Sequence, residues 1–535
     1  MGFFTASRAS MRRGALRPQL KSRLAIFVLC ALSCFSSSHF ALTVQKPSSE
    51  AQLHAEKGIE ASRAGDLSTA EHELREAVQL APDDPFFLAT LGSILGMQRK
   101  LQEAGSYFEK AVKIDPGNVE VRRHLAATQW QLGKLPDAYK NLEYILSINS
   151  NDKPALLLAG MVAENLKDYS AAARWLSKAP ELVDQRPEAQ LALARSYYKL
   201  GQQEDARKVL GKISGAVVDA KVVFWAGQEA FSAQDYGTAE ALFLSIQPSY
   251  ADKASLGYAI ARIQYQTQRY AGAQKTLSEL TAQGLASGDI YSLLGWCQFR
   301  QGQFEDAAGA LERAVGLEPQ KEGYYLDLGT ILAGRRRKLT AALQVAKVAV
   351  QRFPDSSRAY QLKGLVETRL EYYRDAVQSY QRARELNPST ADANVGLAVA
   401  QWGAGLTEEA VATFEHGLQE FPKDPEHLQE YARVSLKMAE LGDRAAEGRA
   451  ISLLKKAISM DDSQPEPFYQ LGSLALVKGN VQEAVELLKR AADLDPKSGK
   501  VHFALSRAFR RLGRQQDAGK EFQLYQSLKD EREMP

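Results

Sequence analysis

Residue types that perform chemistry are sparse in this sequence and lie far apart. It has seven histidines and three cysteines, none at the spacing of a zinc site, and it lacks phosphate-loop, dinucleotide-binding, nucleophile-elbow and zinc-protease motifs. Cys297 follows Trp296 in a helical segment where no base can be assigned to activate the thiol. The sequence therefore predicts no enzyme, no metal site and no cofactor.

The composition is that of an ordinary globular protein. Of 535 residues, 45% are apolar and 24% are charged, which excludes collagen, wholesale disorder and a protein with many membrane spans. Lys and Arg number 67 against 64 Asp and Glu, a net charge of +3. This balance is far from the strongly basic one that non-specific phosphate binding requires, so no nucleic-acid partner is expected.

Residues 1–41 differ from the rest of the chain. They contain six basic residues and no acidic ones, and an apolar stretch at 24–35 is followed by three serines. A stretch of this length is shorter than the roughly 20 residues that span a bilayer, which favours a cleaved signal peptide over a permanent anchor. The residues before Cys34 faintly resemble a lipobox, which leaves lipidation of Cys34 and a membrane tether as an alternative. Both predict export, to the periplasm, the medium or the outer side of the inner membrane. Residues 42–50 are predicted to be a linker.

A period of 34 residues organises the chain from 51 to 535. Glycine recurs about twelve residues before an alanine, and a second alanine follows seven residues later, as in Gly92, Ala104 and Ala111. The units predicted in this way start near residues 51, 85, 119, 153, 187, 220, 254, 288, 322, 357, 391, 425, 465 and 499. The unit at 425 is 40 residues long, and its extra residues are expected at 441–448, between its two apolar segments.

Each unit is predicted to form two amphipathic helices. In the unit at 85, Leu88, Leu91 and Leu95 share one helical face, and Asp115 before Pro116 ends the second helix. Small residues at positions 8, 20 and 27 let the paired helices approach closely. Because one pair cannot bury its own apolar stripe, the units must stack on their neighbours. The predicted fold is an all-α, right-handed α-solenoid of paired antiparallel helices.

Position by position, the units resemble tetratricopeptide repeats, whose mark is Leu-Gly followed by alanine, an aromatic residue, alanine and proline at these offsets. The resemblance covers about nine-tenths of the chain and fourteen units. The unit at 85 carries the clearest match, with Leu91, Gly92, Ala104, Phe108, Ala111 and Pro116. The units at 119, 187, 220 and 254 match less well, since position 27 holds Ile145, Ile213, Ile246 and Leu280.

The resemblance implies where ligands bind. In this family they are held by positions 2, 5, 9, 12 and 13 of the first helix, here called the first-helix face. In this sequence that face holds fifteen basic and seven acidic residues together with many aromatic ones. Arginine forks next to planar apolar rings suit an extended peptide that carries carboxylates. The candidate groove residues are Arg195, Tyr198, Lys199, Arg262, Tyr265, Trp296, Phe299, Arg300, Arg369, Trp402 and Arg433.

Other interpretations of the same charges stay open. Cations are favoured in the last turn of a helix and anions in the first turn, and the basic and acidic positions coincide with those turns. The asparagine that clamps peptide backbone in several grooves of this family has no counterpart, so a carboxylate clamp is unsupported. The basic run at 335–338 falls in a turn, either as a solvated edge or as a contact for anionic lipid or a partner.

Two functions follow from these observations. The first is a non-enzymatic scaffold, exported, which binds proteins along its groove as part of an envelope or secreted assembly. The alternative is a substrate-recognition subunit of an envelope polysaccharide or glycosylation enzyme complex, with the catalytic site on another chain.

Overall fold

The computed structural model describes residues 48–215 and 219–533. This part of the chain contains 29 α-helices and no strand, which confirms the predicted all-α solenoid of paired helices. None of these helices is both long and apolar enough to cross a bilayer. The predicted signal peptide at 1–41 and Cys34 lie outside the described residues.

Contacts divide the helices into two compact units, on either side of Leu285. The helices of the N-terminal unit are α1 (Ser49–Arg63), α2 (Leu67–Leu80), α3 (Pro85–Met97), α4 (Leu101–Ile114), α5 (Val119–Gln131), α6 (Leu135–Ile148), α7 (Lys153–Asn165), α8 (Tyr169–Leu176), α9 (Pro180–Asp184), α10 (Pro187–Lys199), α11 (Gln203–Gly215), α12 (Ala220–Ser232), α13 (Tyr236–Ile246), α14 (Lys253–Gln266) and α15 (Tyr270–Ala282).

The helices of the C-terminal unit, which begins at Ala286, are α16 (Gly288–Arg300), α17 (Phe304–Leu317), α18 (Glu322–Ala333), α19 (Leu339–Arg352), α20 (Ser357–Arg369), α21 (Tyr373–Leu386), α22 (Ala391–Gly403), α23 (Thr407–Glu420), α24 (Pro425–Glu440), α25 (Arg444–Met460), α26 (Pro465–Lys478), α27 (Val481–Leu494), α28 (Gly499–Arg511) and α29 (Gln515–Glu533). A single 3₁₀ turn, Arg336–Lys338, lies between α18 and α19.

Local sequence signals set the helix ends. Asp84 accepts hydrogen bonds from the first backbone amides of α3, and Pro85 occupies the first helical position, where a missing N–H costs nothing. Ser48 caps α1 in the same way, so this helix starts at Ser49, within the stretch assigned to a linker. In the turn between α5 and α6, Gly133 adopts a φ of 78°, a left-handed angle that favours glycine.

Close helix approach explains the periodic small residues. A Cβ atom at Gly472 of α26 would lie 2.8 Å from Cγ of Leu488 on α27, and one at Gly92 would lie 3.0 Å from the ring of Phe108. The alanines at positions 20 and 27, such as Ala104 and Ala111, are buried in the same layer. Large side chains on the second helix therefore fill the space that glycine leaves on the first.

Two departures from the repeat pattern are each compensated by a residue of the opposite size on the facing helix. Leu280 replaces the alanine at position 27 of its unit. The opposite helix has Gly257 at the facing position, where an added Cβ would lie 2.9 Å from Leu280 Cδ1. Conversely, Gly417 stands at position 27 because a Cβ there would overlap the ring of His427, which is fully buried. The units at 254 and 391 thus keep a similar packing volume with large and small residues exchanged.

Two units differ from the expected helix pair. In the unit at 153, the second helix stops at Leu176 and restarts as α9, because Pro180 cannot donate the backbone hydrogen bond that would continue α8. In the unit at 425, the extra residues do not form the expected long connection at 441–448. They lengthen both helices, α24 to 16 residues and α25 to 17, and leave a turn of three residues.

We expect Gly472→Leu to destabilise the chain by about 1 to 3 kcal/mol, because the new side chain overlaps Leu488 and forces α26 away from α27. Urea denaturation followed by helical circular dichroism measures the change. Gly211→Leu is the matched control, since this exposed helical glycine has no neighbouring atom within 4 Å of the place that a Cβ would occupy. Equal midpoints for the two variants would contradict the packing described here.

Candidate protein-binding surface

The first helices of successive repeats pack side by side within each compact unit. In the N-terminal unit α7, α10, α12 and α14 follow one another, and in the C-terminal unit α16, α18, α20, α22 and α24 do so. The first-helix face is therefore a continuous surface along each of these two series, and α26 and α28 form a further pair of adjacent first helices. The structure brings the predicted groove residues Arg195, Tyr198, Lys199, Arg262 and Tyr265 onto the N-terminal face and the remaining six onto the C-terminal face.

Arg195 is held by two carboxylates from neighbouring repeats. Its Nη1 donates to Glu164 of α7 at 2.6 Å, and its Nε donates to Glu229 of α12 at 3.0 Å. A second nitrogen, Nη2, also donates to Glu229, which makes that contact bidentate. The Arg195 guanidinium, which the sequence predicts to bind a partner's carboxylate, thus joins three first helices of this chain to one another.

Tyr198, on the same helix, also has an internal partner. Its hydroxyl donates to Asp235 at 3.0 Å, and Arg207 donates to the same carboxylate at 2.8 Å. Asp235 is buried and also caps α13. Lys199 is different, because its side chain is exposed and makes no ion pair with a described residue.

Arg262 and Tyr265 of α14 lie in an aromatic part of the N-terminal face. The guanidinium of Arg262 lies 4.3 Å from the ring centre of Phe231 and 5.9 Å from that of Tyr258. Tyr265 packs against Tyr270 with its ring centre at 5.3 Å. Each of these side chains is partly exposed, so the predicted combination of cation and planar ring exists at this point.

Trp296 does not face solvent as a groove residue should. Its side chain is only 3% exposed, and its indole N–H donates a hydrogen bond to the Asp327 carboxylate of the next repeat. Asp327 also accepts a hydrogen bond from Ser292 at 3.1 Å. Burial raises the pKa of the Asp327 carboxyl to about 6. Phe299, one turn further along α16, packs edge-on against Phe304 at 5.4 Å, and Arg300 is exposed at the end of the helix.

Two arginines at position 13 perform the same structural task. Arg369 donates to the backbone carbonyl of Ala333, at the end of the preceding first helix, and Arg511 donates to that of Leu476 at 2.5 Å. Carbonyls at a helix C-terminus lack helical partners, so a cation there satisfies them and the helix dipole together. The helix-dipole interpretation therefore accounts for these two arginines.

The remaining C-terminal candidates divide between pairing and partial burial. Arg433 pairs with Glu430 on its own helix at 2.6 Å, and Trp402 is half-buried among the apolar residues of α22 to α25. With Arg195, Tyr198, Trp296 and Arg369, these residues have roles inside the fold. Lys199, Arg262 and Arg300 stay accessible at the surface.

The last two first helices carry an accessible combination that the candidate residues omitted. Arg507 and Arg510 of α28 are exposed and make no ion pair with a described residue, and Phe503 on the same helix is 40% exposed. Val477 of α26 is 78% exposed and follows Leu476, whose carbonyl binds the end of α28. Val477 was missed because a lone valine carries no binding signal, although position 13 holds a cation in many other units.

Acidic side chains lie together at the N-terminal ends of α22 and α24 in the C-terminal unit. Burial, followed by the charges of Asp392 and Asp424, raises the pKa of Glu426 to about 7. Neither Glu426 nor Asp392 forms a salt bridge with a described residue. No group of three or more possible ligands in the described part of the chain could hold a metal ion.

Arg195→Ala should lower the free energy of unfolding by about 2 kcal/mol, because it leaves Glu164 and Glu229 close together without their shared donor. Lys199→Ala, four residues later on the same helix, removes an exposed cation and should change stability by less than about 0.5 kcal/mol. Urea denaturation of both variants measures the difference, and equal losses would refute the structural role of Arg195.

The pKa of Glu426 gives stability a defined pH dependence. The folded chain keeps this proton up to about pH 7, whereas the unfolded chain releases it near pH 4.5, so stability falls as pH rises between these values. We expect Glu426→Gln to flatten the decline and to raise the urea midpoint above pH 7. Glu408→Gln, at an exposed site, should leave the profile unchanged. If the stability of Glu426→Gln fell with pH as steeply as that of the parent, this coupling would be excluded.

Comparison with curated proteins finds partial matches. The chain is 23% identical over 247 residues to human Protein IFIT1 homolog B, covering 41% of this chain and 51% of that protein. It is 24% identical over 182 residues to human Protein O-mannosyl-transferase TMTC3, covering 34% of this chain and 20% of that protein. A match to Protein adenylyltransferase fic-1 of Caenorhabditis briggsae is 38% identical over 71 residues and covers 13% of this chain and 14% of the other. The chain thus spans about half or less of the length of these relatives.

Solved structures also give matches. Yeast Tom70 has a TM-score of 0.42 at 17% identity and covers 89% of this chain and 92% of its own. A tetratricopeptide repeat protein from Parabacteroides merdae has a TM-score of 0.29 at 21% identity, over 53% of this chain and 99% of its own. Likeness at this level says nothing about function.

Sequence models of the tetratricopeptide repeat match the chain repeatedly. One matches residues 258–322, 299–357, 362–425 and 469–532, and two others match 97–140 and 188–214. Together they cover more than half of the chain, and the helix pairs occur where they match. The chain belongs to the tetratricopeptide repeat family, and its repeats form a scaffold of the kind that binds other proteins.

Proposed function

We propose that this chain is an exported, non-enzymatic scaffold that binds acidic segments of partner proteins on its first-helix face, within an envelope or secreted assembly. One observation carries the choice of partner. Arg507 and Arg510 have no ion pair among the described residues, and Phe503 is exposed on the same helix. Val477 is exposed on α26, where the neighbouring Leu476 carbonyl accepts from Arg511 of α28.

Charge and apolar surface act together in this proposal. An unpaired guanidinium offers a planar fork of donors to a partner's carboxylate, and the neighbouring ring and valine give up water when a side chain covers them. Arg195 and Arg369 are less suited to this role, because Arg195 is bound by two carboxylates of the fold and Nη1 of Arg369 by a backbone carbonyl. The binding region is therefore proposed at α26 and α28, with Lys199 and Arg262 as an accessory region on the N-terminal face.

Export rests on the sequence of residues 1–41. A basic segment, a short apolar core and small polar residues follow one another in the order of a signal peptide. We propose a periplasmic, secreted or membrane-tethered location on this basis.

A second candidate function has a specific observation in its favour. Two of the curated relatives carry the names of enzymes, an O-mannosyl-transferase and an adenylyltransferase. The alternative is that this chain recognises substrates for an envelope polysaccharide or glycosylation enzyme that another chain provides. Purification from cells distinguishes the two, since a catalytic chain at equal yield would favour the recognition subunit.

The partner's charge can be tested before the partner is known. A photo-crosslinking residue at Val477 should capture an acidic partner in cells, identified by mass spectrometry. We expect Arg507→Glu with Arg510→Glu to reduce its yield at least tenfold, since two attractive contacts become repulsive. Capture by the parent chain should also weaken when purification is done at about 0.5 M salt, because accessible charges are then screened.

A matched variant controls for charge alone. Lys455 and Lys456 are adjacent, exposed and without an ion pair in the described structure, so reversing both to Glu makes the same change of charge on α25. This variant should retain the crosslink. The proposal fails if both variants capture the partner equally, or if the captured protein has no acidic segment.

A further inference from the structure

Four successive turns lie along one edge of the C-terminal unit. They join the two helices of the repeats at 322, 357, 391 and 425 and occupy residues 334–338, 370–372, 404–406 and 441–443. Their helices place them next to one another. The end of α20 reaches the end of α18 through Arg369 and Ala333, and Gly403 at the end of α22 packs against Tyr373 at the start of α21. The last pair, α22 and α24, is also in contact.

The first of these turns is strongly basic. Its repeat is one residue longer than 34, and the extra residue lies between the two helices. Arg335 lies 3.5 Å from the ring centre of Phe304, and Lys338 pairs with Glu305 at 2.9 Å. Arg336 and Arg337 are exposed and have no ion pair with a described residue. Two adjacent guanidinium groups therefore face solvent without a counter-charge from the described part of the chain.

Each of the next three turns contains an exposed apolar side chain. Tyr372 is 52% exposed, Leu406 40% and Leu441 82%. Tyr372 and Leu406 occupy the N-cap positions of α21 and α23, where they make no capping hydrogen bond. Several other second helices also lack a side-chain cap, whereas Asp66, Asp168 and Asp235 cap theirs. A capping side chain contributes about 1 kcal/mol to a helix. These two repeats thus forgo that stabilisation and carry an exposed apolar group in its place.

We propose that this edge contacts the surface of a bilayer that contains anionic phospholipid. Arg336 and Arg337 would meet the phosphate groups, Tyr372 would lie at the interface, and Leu406 and Leu441 would enter the acyl boundary. Acidic residues are near neighbours of these side chains in the sequence, Glu371 and Glu408 beside the first two and Glu440 and Asp443 around Leu441, and they would limit the depth of insertion. The contact is peripheral, and its strength depends on the charge of the lipid and on salt.

A bilayer fits these turns better than an acidic protein does. The exposed apolar groups belong to three separate turns, and a partner protein would have to supply a pocket for each of them. The headgroup region of a bilayer deforms around projecting side chains and places apolar material beneath them. The edge is separate from the α26 and α28 region proposed to bind proteins, so neither proposal requires the other.

The test is co-sedimentation of the full chain with vesicles at about 0.15 M salt. We expect binding to vesicles of phosphatidylglycerol and phosphatidylcholine and little binding to phosphatidylcholine alone. Arg336→Glu with Arg337→Glu should weaken binding to the anionic vesicles about thirtyfold or more, since each basic residue near such a surface contributes roughly a fivefold factor. Leu441→Ser should weaken it severalfold through the lost apolar contact.

Three controls separate the edge from charge and hydrophobicity in general. Lys455→Glu with Lys456→Glu makes the same charge change away from the edge, Leu317→Ser removes an exposed leucine from the end of α17, and Arg507→Glu with Arg510→Glu alters the protein-binding region. All three should bind anionic vesicles as the parent does. The proposal is overturned if the parent binds phosphatidylcholine vesicles as well as it binds anionic ones, or if the Arg336 and Arg337 variant binds anionic vesicles as these controls do. An acidic protein would then be the remaining partner for the edge.

Discussion

Close contact between the two helices of each repeat is the constraint on which the rest of this structure depends. The space between them is set by one small residue opposite one large one, as with Gly472 and Leu488. The stacking of the repeats depends on this spacing between the two helices. The apolar stripe is buried only when neighbours stack, and within each compact unit the first helices then lie side by side, with the turns between helices at their ends.

The same constraint explains how much of the fold could be predicted. Helix pairs and their period follow from residues that recur every 34 positions, because packing requires the same volumes at each step. The exchange of sizes at Gly257 and Leu280 preserves the period although it departs from the alanine pattern. The break at Pro180 and the longer helices of the unit at 425 were missed, since a helical period persists through both segments while their backbone differs.

The surface was harder to predict than the core. Arg195 looks like an available cation in the sequence because its partners, Glu164 and Glu229, are 31 and 34 residues away, and Glu229 stands at a position not counted among those that bind ligands. Arg369 binds a backbone carbonyl, which no sequence pattern marks. Position in a repeat therefore predicts that a side chain lies on the first-helix face, and only the neighbouring repeats decide whether it is available there.

Arg369 and Arg511 also have a consequence for how such arrays change in evolution. Each arginine binds a carbonyl that every helix end possesses, whatever side chains its neighbour carries. A repeat that brings this arginine can therefore be duplicated, lost or moved along the gene and still find its acceptor. An ion pair such as that of Arg195 requires specific residues in two adjacent repeats, and it ties those three repeats together as a block that must be inherited whole.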